Sequence, residues 1–205
     1  KELDKVEQLV KNDPAIRLIY FETPANPSLA CVDIEALAQI AKRNNRHSAI
    51  DNTFCTPYLQ QPFRLGVDFI IHSTTKYLNG HSDVVGGAVV AAKAEDVEQL
   101  VWWANCTGVT GAPFDSWLTL RGLRTLDVRV RAQAESAALL AHRFANHAAV
   151  STVLYPGLPT HPGHAVAVKQ MSGYGGMLSI RVKAGERAAI DAAARVEIWK
   201  RATSL

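Results

Sequence analysis

Asp68-Phe69-Ile70-Ile71-His72-Ser73-Thr74-Thr75-Lys76-Tyr77-Leu78-Asn79-Gly80-His81-Ser82-Asp83 is the stretch that decides how this chain folds. Val67 to Ile71 has the length and branched apolar composition of a buried strand, and it ends at His72. Three hydroxyl residues, a lysine and a glycine turn follow at once. Working outward, Ile16 to Phe21 reads as another buried strand, stopped in Thr23-Pro24-Ala25-Asn26-Pro27 by two prolines that remove donors and fix φ. Asp33 is placed to cap a helix whose Ile34, Leu37, Ala38 and Ala41 share one face. His47 to Ile50 reads as a strand ending at Asp51, and Ala88 to Ala92 as a further one after Gly86-Gly87. Short apolar runs alternating with amphipathic stretches from Ala15 to Leu100 are the pattern of β-α-β units on a parallel sheet, an α/β fold. Glu22, Asp51 and His72-Ser73 then stand at the carboxyl tips of strands, the edge beyond which such sheets bind ligands.

Pro113 to His147 contains no further proline and one glycine, Gly122, so it reads as a long helical region of one helix or two, opened by a proline in its first turn. Val150 to Tyr155, a turn at Pro156-Gly157, a helix over Ala165 to Gln170 and the alternation Met177 to Val182 suggest a separate α+β unit. The expected division is a large domain over residues 1–150 and the beginning of a smaller C-terminal domain over 151–205. Lys1 stands inside a helical pattern and the chain stops at Ser204-Leu205 without a polar tail, so a fragment of a longer protein is expected.

Composition narrows the function classes. The 205 residues are 48% hydrophobic and 20% charged, an ordinary globular balance. The net charge of +3 comes from scattered basic residues with no stripe or run, which argues against nucleic acid as a partner. No apolar run approaches the roughly 18 residues of a membrane span, and no signal-like segment opens the chain, so a cytoplasmic protein is expected. Cys31, Cys55 and Cys106 are widely spaced without a Cys-x-x-Cys pair and read as buried small hydrophobes. No metal site is expected: His161 and His164 lie in a Pro/Gly-rich stretch with no third ligand. Trp102 and Trp103 read as core or subunit contact. Gly173-Tyr174-Gly175-Gly176 precedes a strand instead of a helix, the wrong context for a dinucleotide loop.

The chemistry is concentrated around Lys76. Ser and Thr hydroxyls donate to phosphate oxygens, and a lysine amine condenses with an aldehyde. Asp51, 25 residues upstream at a neighbouring strand tip, can hold a protonated ring nitrogen by charge pairing. A carbonyl-reactive lysine, an acid for a pyridinium and hydroxyls for a phosphate are what pyridoxal phosphate asks of a protein.

With those residues in view, the run Asp68 to Ser82 resembles the attachment site of the Cys/Met-metabolism family of pyridoxal-phosphate enzymes. Glu22-Thr23-Pro24-Ala25-Asn26-Pro27, Asp51-Asn52-Thr53-Phe54, Gly108-Val109-Thr110-Gly111 and Leu120-Arg121-Gly122-Leu123-Arg124-Thr125-Leu126 resemble the same family, so the likeness runs from about residue 15 to Leu205. It implies an aspartate-aminotransferase-like large domain (PLP fold type I) with a mostly parallel sheet and a smaller α+β C-terminal domain. It implies Lys76 as the lysine that carries the cofactor and then shuttles protons, Asp51 as the pyridinium partner, Ser73 and Thr75 as phosphate ligands, and Asn26 beside the ring hydroxyl or the substrate carboxylate. It also implies a transsulfuration activity on γ-substituted amino acids, with O-acyl-homoserine, cysteine or cystathionine as substrates, and a homotetramer. Trp102-Trp103-Ala104-Asn105 with Gly108 to Gly111 and Phe114-Asp115-Ser116 most resembles members that replace a γ-acyloxy group by cysteine, while γ-elimination shares every residue named. Parts of the family's site, among them a stacking aromatic residue and the arginine that clamps the substrate carboxylate, fall outside these 205 residues. Weak cofactor binding by the chain alone is therefore expected, and a non-catalytic binding or oligomerisation module is the alternative from another class.

Overall fold

The computed structural model describes residues 2–201; Lys1 and residues 202–205, which bound the two expected domains, lie outside the described residues. The first sheet takes its strands in chain order: β1 (Leu18–Glu22), β2 (His47–Asp51), β3 (Phe69–Ser73) and β4 (Gly87–Ala91). The first three are parallel and β4 is antiparallel to β3. Register fixes the site, because Glu22 pairs with Asp51 and Asp51 with Ile71, so the carboxyl tips end side by side. Ser48, Ala49 and Ile50 are all buried in β2, as a central strand covered on both faces requires. The Asp68 carboxylate ties β3 to β2 by accepting from the Ser48 N–H (2.8 Å) and hydroxyl (2.9 Å).

Helix α1 (Glu2–Asn12) and helix α2 (Ile34–Arg43) lie against this sheet. Asp33 caps α2, its Oδ1 accepting from the Ala36 N–H at 3.0 Å, and Ile34, Leu37, Ala38, Ile40 and Ala41 form the buried face. A short α3 (Thr56–Leu59) follows β2, and a five-residue π turn, Thr74–Leu78, follows β3. Beyond β4 come α4 (Ala94–Thr107), α5 (Pro113–Leu123) and α6 (Leu126–Ala145). The long helical region is thus two helices, parted at Arg124-Thr125 where α5 meets the turn after β3. The remaining elements are β5 (Val150–Leu154), α7 (His164–Gln170), β6 (Ser179–Val182) and α8 (Gly185–Ala194), with β5 and β6 forming a separate antiparallel pair. This pair packs on α6 through Ala137, Ala141, Val153, Tyr155 and Leu158.

One expectation is corrected and another narrowed. Cys55 is buried and Cys31 half-buried, but Cys106 is exposed on α4, so only two thiols sit in the core. Trp102 and Trp103 are 57% and 58% exposed and meet edge-on, so of the two expected roles the core is excluded and subunit contact is left. His161 and His164 each bond backbone atoms, of Gly163 and Pro156 respectively.

Candidate active site

Asp51 ends β2, and its carboxylate is oriented from two sides. Oδ1 accepts from the Thr53 N–H at 2.9 Å, and the Tyr20 hydroxyl approaches Oδ2 at 3.5 Å. One short contact and one long one leave lone pairs on both oxygens for a further donor. Thr53 is buried, and its Oγ1 accepts from the Ser73 N–H at 2.8 Å. One threonine therefore couples the Asp51 carboxylate to the tip of β3. Burial pushes the Glu22 carboxyl up, the Asn26 N–H pulls it down, and the Asp51 charge beside it pushes it up again. His72 is buried with Nδ1 unpartnered among the described residues, and burial pulls its pKa down against the opposing pull of Asp51.

The loops after β1 and β2 are locked by buried amides. Gln60 Nε2 donates to the Thr23 carbonyl (3.1 Å) and to Asn52 Oδ1 (2.9 Å), while Asn52 Nδ2 donates to the carbonyls of Thr56 (3.1 Å) and Gln60 (3.2 Å). From the far end of the chain, Ser179 Oγ donates to the Pro27 carbonyl at 2.7 Å, and the His161 ring bonds the Ser28 backbone. Asn26 sits between these two sets of constraints, in a loop with cis peptides before Pro24 and Pro27.

Lys76 lies in the π turn, where the helical path breaks (φ −93°, ψ −123°). The Thr74 N–H donates to the Gly86 carbonyl at 2.9 Å. Thr75 Oγ1 accepts from the Gly86 N–H (3.0 Å) and donates to the Gly86 carbonyl (3.3 Å). Donation from Thr75 to a phosphate therefore means rotating its hydroxyl off that longer contact. Ser73 contributes its N–H, not its hydroxyl, to the bonds that hold the tip. Lys76 lines a cavity of about 370 Å³ with Phe54, Tyr77, Gln133 and Met177. Burial pushes the Tyr77 phenol up to about 12, so it stays a neutral wall of that cavity at physiological pH.

The structure brings Asp51, Ser73, Thr75 and Lys76 to one sheet edge and Asn26 to the loop next to it. Residues the sequence reading did not single out are Tyr20, Gln60 and the hydroxyl of Thr53. Thr53 was legible in the Asp51 to Phe54 motif, whereas nothing local marks Gln60. The donor types fit pyridoxal phosphate: a carboxylate with spare acceptor capacity for a protonated ring nitrogen, a lysine and hydroxyls at the adjacent strand tip, although the cavity that Lys76 and Thr75 line includes neither Asp51 nor Ser73.

The fold is the aspartate-aminotransferase-like α/β architecture of pyridoxal-phosphate-dependent enzymes. The family model described as Cys/Met metabolism PLP-dependent enzyme matches residues 1–205, and the chain belongs to that family. It is 50% identical over 192 residues to cystathionine gamma-synthase of Mycobacterium tuberculosis (strain ATCC 25618 / H37Rv), covering 94% of this chain and 50% of the relative. It is 47% identical over 184 residues to cystathionine gamma-lyase of Bacillus subtilis (strain 168), covering 90% of this chain and 48% of the relative. The crystal structure of cystathionine gamma synthase from Xanthomonas oryzae pv. oryzae in complex with aminoacrylate and cysteine superposes with a TM-score of 0.93 at 47% identity, covering 99% of this chain and 51% of that one. The chain thus spans about half the length of the relatives it matches.

Proposed function

We propose that this chain is the lysine-bearing part of a transsulfuration enzyme that acts on γ-substituted amino acids, most closely a cystathionine γ-synthase that exchanges the γ-acyloxy group of an O-acyl-homoserine for cysteine. The observation that carries the reading is the alignment of the Asp51 tip with the turn that presents Lys76. Bound pyridoxal phosphate supplies an electron sink for the substrate's α- and β-carbons. The chain's own residues then have defined tasks. Asp51 holds the ring nitrogen's proton by charge pairing, steadied by Thr53. Lys76 Nζ would hold the cofactor and would be the group that moves protons at the substrate's carbons beside it. Ser73 and Thr75 donate to the phosphate, and Asn26 faces the ring hydroxyl or the substrate carboxylate.

The same reading divides the chain into a large domain over 1–150 and the beginning of a smaller one over 151–205. It also makes the protein a cytoplasmic homotetramer with small-molecule substrates. In support, no helix among the described residues is long and apolar enough to cross a membrane. The γ-lyase relative keeps γ-elimination as a second reading, because both reactions use the same lysine. Product analysis of the full-length protein separates them. Cystathionine formed from O-acyl-homoserine plus cysteine, and lost in Lys76→Ala, supports the synthase. Release of cysteine, 2-oxobutyrate and ammonia from cystathionine as the faster reaction gives the γ-lyase, and turnover of neither overturns the enzyme reading.

A further inference from the structure

The Leu120 to Leu126 motif has no part in the chemistry above, yet it forms one side of the socket that holds the Lys76 turn. The turn ends at Gly80 (φ +72°), whose N–H donates to the Lys76 carbonyl at 2.7 Å. That ending leaves the Tyr77 carbonyl without the next-turn N–H a continuing helix would bring. Arg129 supplies the donor instead. Nη1 donates to the Tyr77 carbonyl at 2.9 Å, Nη2 to the Gly122 carbonyl at 2.7 Å, and Nε to Thr125 Oγ1 at 3.0 Å. Gly122 lies at the C-terminal end of α5, where a positive charge is welcome, and its carbonyl also accepts from the Thr125 N–H (3.1 Å) and the Thr125 hydroxyl (3.2 Å). One planar fork thus closes the ends of two segments, α5 and the Lys76 turn.

Two features set Arg129 apart from an ordinary surface arginine. It stands in the first turn of α6, where the helix dipole opposes a cation, and its bonds go to neutral carbonyls and a hydroxyl. The contact is also made at the closest approach of the two segments, since a side chain at Gly80 would run into the Arg129 guanidinium and one at Gly122 would run into the Asn79 carbonyl. We infer that Arg129 is a positioning residue for Lys76: its guanidinium fork, seated by Thr125, clamps the turn to α5 and so sets where the lysine amine stands in its cavity. A lysine in its place offers a point charge without the planar fork and without the Nε–H that Thr125 seats.

This inference rests on Lys76 being the cofactor-bearing lysine, and the test keeps the two apart. In the full-length protein without cofactor, amide exchange across Tyr77 to His81 is compared for wild type, Arg129→Lys and Thr125→Val. A lost charged hydrogen bond corresponds to about tenfold faster local exchange in Arg129→Lys, with a smaller rise in Thr125→Val, which removes the seat for Nε and the hydroxyl's 3.2 Å bond to the Gly122 carbonyl but leaves the bond from Arg129 to Tyr77 in place. With cofactor, kcat is expected to fall about tenfold in Arg129→Lys while KM changes little, because the misplaced group is the proton carrier. An arginine that served stability alone would raise exchange throughout the molecule and leave kcat of the folded fraction intact, and that result overturns the inference. If Arg129→Lys does not fold, Thr125→Val decides by the same exchange measurement: local acceleration at the turn supports the clamp and its absence overturns it. Failure of the wild-type protein to attach cofactor at Lys76 would instead overturn the functional reading.

Discussion

Gly122→Ala gives the sharpest stability test, because local propensity and tertiary packing predict opposite signs. In a helix interior the change is worth about 1 kcal/mol in favour of alanine, an upper bound for Gly122, the penultimate residue of α5. Here the new Cβ would lie 2.8 Å from both the Leu78 carbonyl oxygen and the Asn79 carbonyl carbon, and would overlap the Asn79 carbonyl oxygen. These are backbone atoms, so no rotamer relieves the contact, and α5 and the turn must separate by ~1.3 Å for the overlapped oxygen to regain ordinary packing. Overpacking of this kind costs about 1–3 kcal/mol. The same separation lengthens the Arg129 fork, whose bonds at 2.7 and 2.9 Å span the two segments, and bonds from a charged donor carry about 1.5–3 kcal/mol. Against the ~1 kcal/mol gain in propensity, a net loss of about 2–4 kcal/mol is expected. Urea unfolding of the full-length protein, with the slope checked for constancy, reads it directly. A variant as stable as wild type, or ~1 kcal/mol more stable, would refute the packing of α5 on the lysine turn.

Three further outcomes follow from the same contacts. Gln60→Leu strips buried partners from the Thr23 carbonyl and Asn52 Oδ1, and a loss of about 2–4 kcal/mol is expected by denaturant titration. Ser179→Ala removes the 2.7 Å bond to the Pro27 carbonyl; about 1 kcal/mol of stability and a raised KM are expected, with cofactor retention unchanged, whereas an unchanged KM would separate Ser179 from the placement of Asn26. Burial pulls the His72 and His161 pKa values below their usual 6.5, so the unfolded chain takes up protons first as pH falls. Stability is then full above about pH 6.5 and declines below it. The raised Glu22 carboxyl works in the opposite sense nearer its own range, and a stability that rose between pH 7 and 6 would contradict the burial of the two imidazoles.

What was legible in the sequence was local. Asp68 to Ser82 names its strand, its hydroxyls and its lysine within one continuous stretch, and the tips Glu22 and Asp51 follow from where apolar runs stop. Asp33 announced its helix because capping acts over three residues, and the Ala36 N–H is where it was expected. The clamps were not legible, because their partners are remote: Gln60 reaches back 37 residues to Thr23, Arg129 52 to Tyr77 and Ser179 152 to Pro27. Whether residues 113–147 formed one helix or two was undetermined for the same reason, since the break near Gly122 answers to a turn more than 40 residues earlier. The exposure of Cys106, Trp102 and Trp103 depends on what packs over α4, which their own helix does not encode.

The central claim is that Lys76 is the covalent anchor of the cofactor. The direct measurement is to incubate the full-length protein with pyridoxal phosphate, reduce it with borohydride, and map the modified peptide by mass spectrometry. The account predicts a stable pyridoxyl mass on Lys76, absent in Lys76→Ala. A pyridoxyl group fixed on another lysine, or on none, would contradict it.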